Sequence, residues 1–277
     1  MVKNPGNIRD VYQEKINAYL SVIETMQKEE LDTLTEIQNG SVQPALTALH
    51  LSGQMLNLVS VYIAIDGVSR SVLKTKDDEA LNNARKSLHK CLKYLESAVT
   101  KLVDAPFSEY EKQVDEIAGF TPAERYLLVR KTGLTFQLLK NAYADNTKWK
   151  WAFVEMEGRY AATAKNLLNL REITVNKDPR SPHYEPTVYH LRLTKKLLLR
   201  AAEQYRQKYE LSPNRFEDFQ TSVEDFKKGI LFLSALKRFC IMTGDSADAE
   251  IVQKKLDAWN NKLNADTVKQ QQLHGKK

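Results

Sequence analysis

The sequence predicts an all-α protein, and three observations carry that prediction. Gly and Pro number only 10 and 8 in 277 residues, so few positions interrupt a regular element. Leucine, alanine, lysine, glutamate and glutamine, which favour helices, dominate the long segments. Apolar residues recur at three- and four-residue steps, and no stretch alternates apolar β-branched with polar residues as a half-buried strand would. The expected architecture is an elongated array of long antiparallel helices with coiled-coil sections.

The first helix is expected from Ile8 to Ile37. Tyr12, Ile16, Tyr19, Ile23 and Met26 step 4-3-4-3, and a four-residue slip follows before Leu34 and Ile37, the pattern of a coiled-coil seam with a stutter. Asn39-Gly40 should stop it, and Pro44 should sit in the first turn of the next helix. Residues 41–65 carry no formal charge, yet Gln43, Thr47, His50, Gln54 and Asn57 interrupt them. A membrane span should be more apolar, so this segment reads as the central buried helix. Gly53, Ser60 and Gly67 recur every seven residues along it, a lane of small side chains that a neighbouring helix could approach closely.

The third helix should carry Leu81, Ala84, Leu88, Cys91, Leu95, Ala98 and Leu102 inward, starting at a Thr75-x-x-Asp78 cap and ending at Asp104-Ala105-Pro106. Ser108 to Ala118 reads as a short helix. Thr121-Pro122-Ala123-Glu124 combines an N-cap threonine, a proline at the first helical position and a glutamate three residues after the cap, so a helix starts there and runs to about Ala144. Another is expected from near Thr147 to Ile173, with Trp149 and Trp151 about 200° apart around it. Pro179, Pro182 and Pro186 crowd residues 176–186, which reads as an elbow between an N-terminal region, 1–175, and a C-terminal one, 187–268. Beyond it, helices are expected from Pro186 to Tyr209, from Ser212-Pro213 to Gly244 and from Asp245-Ser246 onward, with a frayed tail at 269–277.

Several kinds of chemistry lack their signatures. No glycine-rich phosphate loop occurs, and the five histidines form neither HExxH nor a Glu-x-x-His pair. His183 and His190 could meet near the elbow, or serve as ordinary loop histidines. Cys91 and Cys240 form no CxxC pair and leave the compartment open. No catalytic, cofactor or metal residue is expected. Charge is uneven: residues 1–120 hold 13 Lys+Arg against 17 Asp+Glu, and residues 121–277 hold 28 against 18, giving −4 and +10. The basic half raises nucleic-acid binding as an alternative, although no recognition module accompanies it.

One surface constellation stands out. Arg192, Lys196 and Arg200 are four residues apart, with Lys195 beside them and Tyr184 and Tyr189 upstream. Like charges at this spacing disfavour an isolated helix by about 0.2–0.5 kcal/mol per pair, a cost that an anionic partner would offset. The stripe reads as a partner-binding face, as a solvated face, or as one paired to acids such as Glu29, Asp32 and Glu36, in the same chain or a neighbour.

In its helical plan, its lysine-rich texture, and the segments Trp149-Lys-Trp-Ala-Phe-Val-Glu-Met-Glu-Gly158 and Pro179-Arg-Ser-Pro-His-Tyr-Glu-Pro186, the chain resembles the flagellar coiling and sheath proteins of spirochetes, of the Leptospira type. The resemblance implies a periplasmic protein, exported by a signal peptide missing from this sequence, that lies on the flagellar filament and helps impose its coiled shape. The implied partners are other filament or sheath proteins, flagellin and copies of itself. It implies no catalytic residue.

Overall fold

The structure, a computed structural model, describes residues 8–144, 147–212 and 219–274. Of these, 84% are helical, in ten α-helices with a 3-10 turn at Thr147–Trp149 and no strand. The helices gather into two compact units, Met1–Val99 with Lys112–Thr147, and Thr100–Glu111 with Lys148–Lys277.

In the first unit, α1 (Ile8–Gln38), α3 (Asp78–Ala98) and α5 (Pro122–Tyr143) all pack on α2 (Pro44–Val72). Leu49, Met55, Leu56 and Val59 of α2 are fully buried, as are Leu81, Leu88, Cys91 and Leu92 of α3. The α2 helix is long and apolar enough to cross a membrane by length and composition, with 56% of its most apolar window buried in the fold. Its small-residue lane faces outward, however: a Cβ at Gly53 or Gly67 would meet nothing within 4 Å. The close helix approaches lie in the second unit, where a Cβ on Gly158 would come 2.9 Å from Tyr205 Oη and one on Gly229 3.0 Å from the Ala202 carbonyl.

Local chemistry accounts for the helix ends. Gly40 adopts φ +70°, and Ser41 N–H donates to the Glu36 carbonyl, closing α1 with a left-handed cap. The cap of α3 is Asp77, whose carboxylate accepts from Ala80 N–H at 2.9 Å, in place of the expected Thr75. That helix ends at Ala98, so Leu102 leaves the seam and is 50% exposed. The capping box of α5 is complete: Glu124 N–H donates to Thr121 Oγ1, and Thr121 N–H to Glu124 Oε2 at 2.8 Å.

The second unit comprises α6 (Lys150–Asn166), α7 (Ile173–Asn176), α8 (Tyr184–Glu210), α9 (Phe219–Met242) and α10 (Ser246–His274). It also takes in residues 100–111, which include the first half of α4 (Phe107–Glu116). Stacked pairs Tyr205–Phe232 and Tyr209–Phe226, with Trp259 beside Phe226, form its aromatic centre. The helix expected through Ile173 breaks at Asn166. That side chain is buried and donates to the Thr100 and Leu102 carbonyls, and Asn169 then accepts from Arg171 N–H in a local turn.

Residues 176–186 are not a boundary between regions, because they lie inside the second unit. Hydrogen bonds stitch this stretch down: Ser181 N–H to the Asp178 carbonyl, Tyr184 N–H to the Ser181 carbonyl, and Lys177 Nζ to the Thr243 carbonyl at 2.9 Å. Proline marked a turn there, whereas a boundary also needs few contacts across it. The expected start at Ser212-Pro213 falls on residues 213–218, outside the described residues. Helix α10 extends through His274, since Lys269-Gln-Gln-Gln-Leu273 contains no breaker before Gly275; residues 275–277 of the expected frayed tail lie outside the described residues.

Candidate interaction surface on helix α8

Helix α8 turns Leu191, Leu198, Ala201 and Tyr205 into the core of the second unit. The basic residues therefore lie on its outer and flanking faces, and the structure separates them into two groups. Lys195 is paired: its ammonium sits 2.7 Å from Asp248 and 2.9 Å from Asp245, at the start of α10. Burial works against that charge, but the two carboxylates outweigh it and raise the lysine pKa. Asp245 is shifted the other way; burial opposes its charge, and the Thr243 hydroxyl and Lys195 overcome this and lower its pKa. Arg200 is paired as well, with Nε 3.1 Å from Glu157 of α6, a residue only 8% exposed.

Arg192 and Lys196 are exposed, and neither joins an ion pair among the described residues. Tyr189, 45% exposed, and Leu199, 38% exposed, lie along the same side, within about 80° of arc at 100° per residue. Tyr184 is half-buried at the helix start. The exposed patch is therefore Tyr189, Arg192, Lys196 and Leu199, a mixture of aromatic, cationic and apolar side chains typical of protein interfaces. Leu199 escaped the sequence reading because one leucine on a polar face carries no periodic signal.

The acids named from sequence as a counterpart, Glu29, Asp32 and Glu36, are exposed on α1. Lys195 and Arg200 take their partners instead from α6, from α10 and from Asp245 just before it. Further pairs run along the rest of α8. Arg206 bonds Glu203 and Glu210, each at 2.9 Å, Lys255 bonds Glu203, and Lys208 bonds Asp225 at 3.0 Å.

His190 is buried, with Nε2 2.9 Å from the Ala164 carbonyl. Among the described residues no three His, Cys, Asp or Glu side chains gather as a metal-holding group. Cys91 and Cys240 are buried free thiols. A recess of about 380 Å³ beside the α9–α10 turn is lined by residues including Lys237, Ile241, Ser246 and Glu250.

These observations define the class: an all-α protein of two helical units whose open chemistry on α8 is a small aromatic and basic patch. A model of the TP0443 family matches residues 8–267, and the chain belongs to that family, a treponemal protein family. No curated protein matches the chain, and no solved structure does.

Proposed function

We propose that this protein is a non-catalytic structural component of a protein assembly, a sheath or coiling protein on the periplasmic flagellar filament of a spirochete. Its treponemal family and the resemblance of its helical plan and its 149–158 and 179–186 segments to spirochete flagellar coiling and sheath proteins support this reading. The observation that carries it is the patch of Tyr189, Arg192, Lys196 and Leu199, whose two cations are left outside the ion-pair network that occupies the neighbouring basic residues. Two cations four residues apart repel, and an acidic surface on the filament would relieve that cost.

The test is the double variant Arg192→Glu with Lys196→Glu. Exposed charge changes alter stability by about 0.5 kcal/mol or less each, so helicity and melting temperature should hold. Co-sedimentation with purified periplasmic flagella should be lost. Co-sedimentation at the wild-type level would sink the proposal, and salt-sensitive binding to DNA or RNA by the wild type, abolished in the double variant, would assign the patch to nucleic acid instead.

A further inference from the structure

Two exposed apolar surfaces in the first unit match each other. On α5, Leu127, Leu134 and Leu138 are 55%, 57% and 53% exposed, and at 100° per residue they fall within about 40° of arc. Arg130 and Lys131 share that exposed side. Lys131 Nζ reaches Asn57 Oδ1 of α2 at 2.6 Å, and Asn57 borders the lane of Gly53, Ser60 and Gly67, above whose glycines nothing lies within 4 Å. The exposed side of this helix pair therefore offers a strip of small residues on α2, a stripe of leucine on α5 and a basic edge at Lys131, here called the α2–α5 groove.

On α1 the outward ridge carries Leu20 and Leu31, 39% and 64% exposed. They stand eleven residues apart, as Leu127 and Leu138 do, with Glu24 four residues after the first leucine, as Lys131 is four after Leu127. Set side by side in the same direction, the two helices bring Leu20 to Leu127, Glu24 to Lys131 and Leu31 to Leu138, over about 16.5 Å at 1.5 Å per residue. The opposite direction sets Lys28 against Arg130 and Glu24 against Leu134, which like-charge repulsion and burial of an unpaired acid disfavour.

Within one copy α1 and α5 each pack on α2, and no extensive α1–α5 packing occurs among the described residues. The two surfaces are thus free to meet between copies. We propose that the first unit carries a head-to-tail self-association contact, in which the Leu20–Glu24–Leu31 ridge of one copy seats in the α2–α5 groove of the next. Because ridge and groove are different surfaces, the contact is heterologous, and a heterologous contact that does not close into a ring propagates as an open filament. This names a partner for the assembly role proposed above and rests on that reading.

Sedimentation of the full chain tests it. Wild-type mass should rise continuously with concentration at low salt, with no stop at a dimer. Leu31→Lys on the ridge and Leu134→Glu in the groove should each leave monomers with wild-type circular dichroism. Mixed one to one, the two variants should form a heterodimer and nothing larger, since each retains one intact face. Glu24→Lys and Lys131→Glu should each weaken association at least tenfold, and the double reversal should recover most of it. A chain that stays monomeric to millimolar concentration overturns the proposal, as does a closed dimer, a mixture of the two variants that stays monomeric, or binding of the groove to lipid vesicles without self-association. A monomeric chain that still co-sediments with flagella overturns this contact and leaves the filament role standing. Self-association without flagellar binding does the reverse.

Discussion

Glu30 illustrates how a single residue completes a pattern that sequence left open. The seam of α1 slips by four residues between Met26 and Leu34, and Glu30 sits at the skipped position, 4% exposed. Its carboxylate accepts from Lys90 Nζ at 2.8 Å and from the Tyr94 hydroxyl at 2.5 Å, both on α3. Burial, with the Glu30 carboxylate adding to it, drives the Tyr94 phenol well above its usual range. Glu30→Ala should cost about 1–3 kcal/mol by leaving both donors without their acceptor. Glu30→Gln, which keeps an acceptor oxygen for the Tyr94 hydroxyl and the Lys90 ammonium, should lose less than Glu30→Ala. Urea melts of the two variants check this, and equal destabilisation would refute it. The stutter was legible from spacing; the charge filling it was not, because spacing reports apolar residues only.

Lys165 is the second such residue, 3% exposed and in no ion pair among the described residues. Its ammonium donates to the Ala105 carbonyl at 3.2 Å and to Asn166 Oδ1 at 3.1 Å, and lies 5.4 Å from the Tyr110 ring centre. Burial, reinforced by the charge of Arg238 and opposed by Asp104, lowers its pKa to about 8. Between about pH 8 and the ordinary lysine value the unfolded chain holds a proton that the folded chain has released. Stability therefore rises with pH through that window and carries its full penalty below it. Relative to Lys165→Met, the wild type should gain up to about 3 kcal/mol between pH 7 and pH 11, at roughly 1.4 kcal/mol per pKa unit. Chemical denaturation of both proteins across that range measures the difference, and parallel profiles would refute it.

Among elements, glycine marks where helices touch, but its position in sequence does not say which glycines do so. The repeat of Gly53, Ser60 and Gly67 suggested a close approach, yet open space lies beyond both glycines, while isolated Gly158 and Gly229 are the crowded ones. Gly53→Ala and Gly67→Ala should each stabilise the protein by about 0.5–1 kcal/mol, the usual gain at a mid-helix glycine. Gly158→Ala should instead cost about 1–3 kcal/mol, because its methyl group would press on the Tyr205 ring stacked against Phe232. Thermal melts of the three variants separate the outcomes. Helix ends were well read wherever the cap was local, as at Gly40 and Thr121. They were misread at Ala98 and Asn166, where partners distant in the sequence decide.

At the scale of the whole molecule, periodicity and the scarcity of breakers were enough to reveal the fold class, and the organisation into units was not. The segment 100–111 follows α3 in sequence but belongs with helices that begin at 150, and no local composition records that exchange. Its carbonyls at Thr100, Leu102 and Ala105 satisfy Asn166 and Lys165, and Val103 enters the apolar core. A fragment of residues 148–277 should therefore be markedly less stable in urea than the same fragment with 100–111 supplied as a synthetic peptide. Equal midpoints would show the segment to be a passenger.

The same exchange sets an order of events on the ribosome. Residues 100–111 are synthesised before the second part of their neighbouring unit, 112–147, and well before Lys165, Asn166 and the rest of their own. At roughly 5–20 residues per second, the segment waits several seconds with its carbonyls and Val103 unclaimed. Meanwhile the 1–99 and 112–147 stretches can close on one another and hold both of its ends. If those stretches close first, the nascent chain presents 100–111 as a short tethered loop on which the later helices can condense.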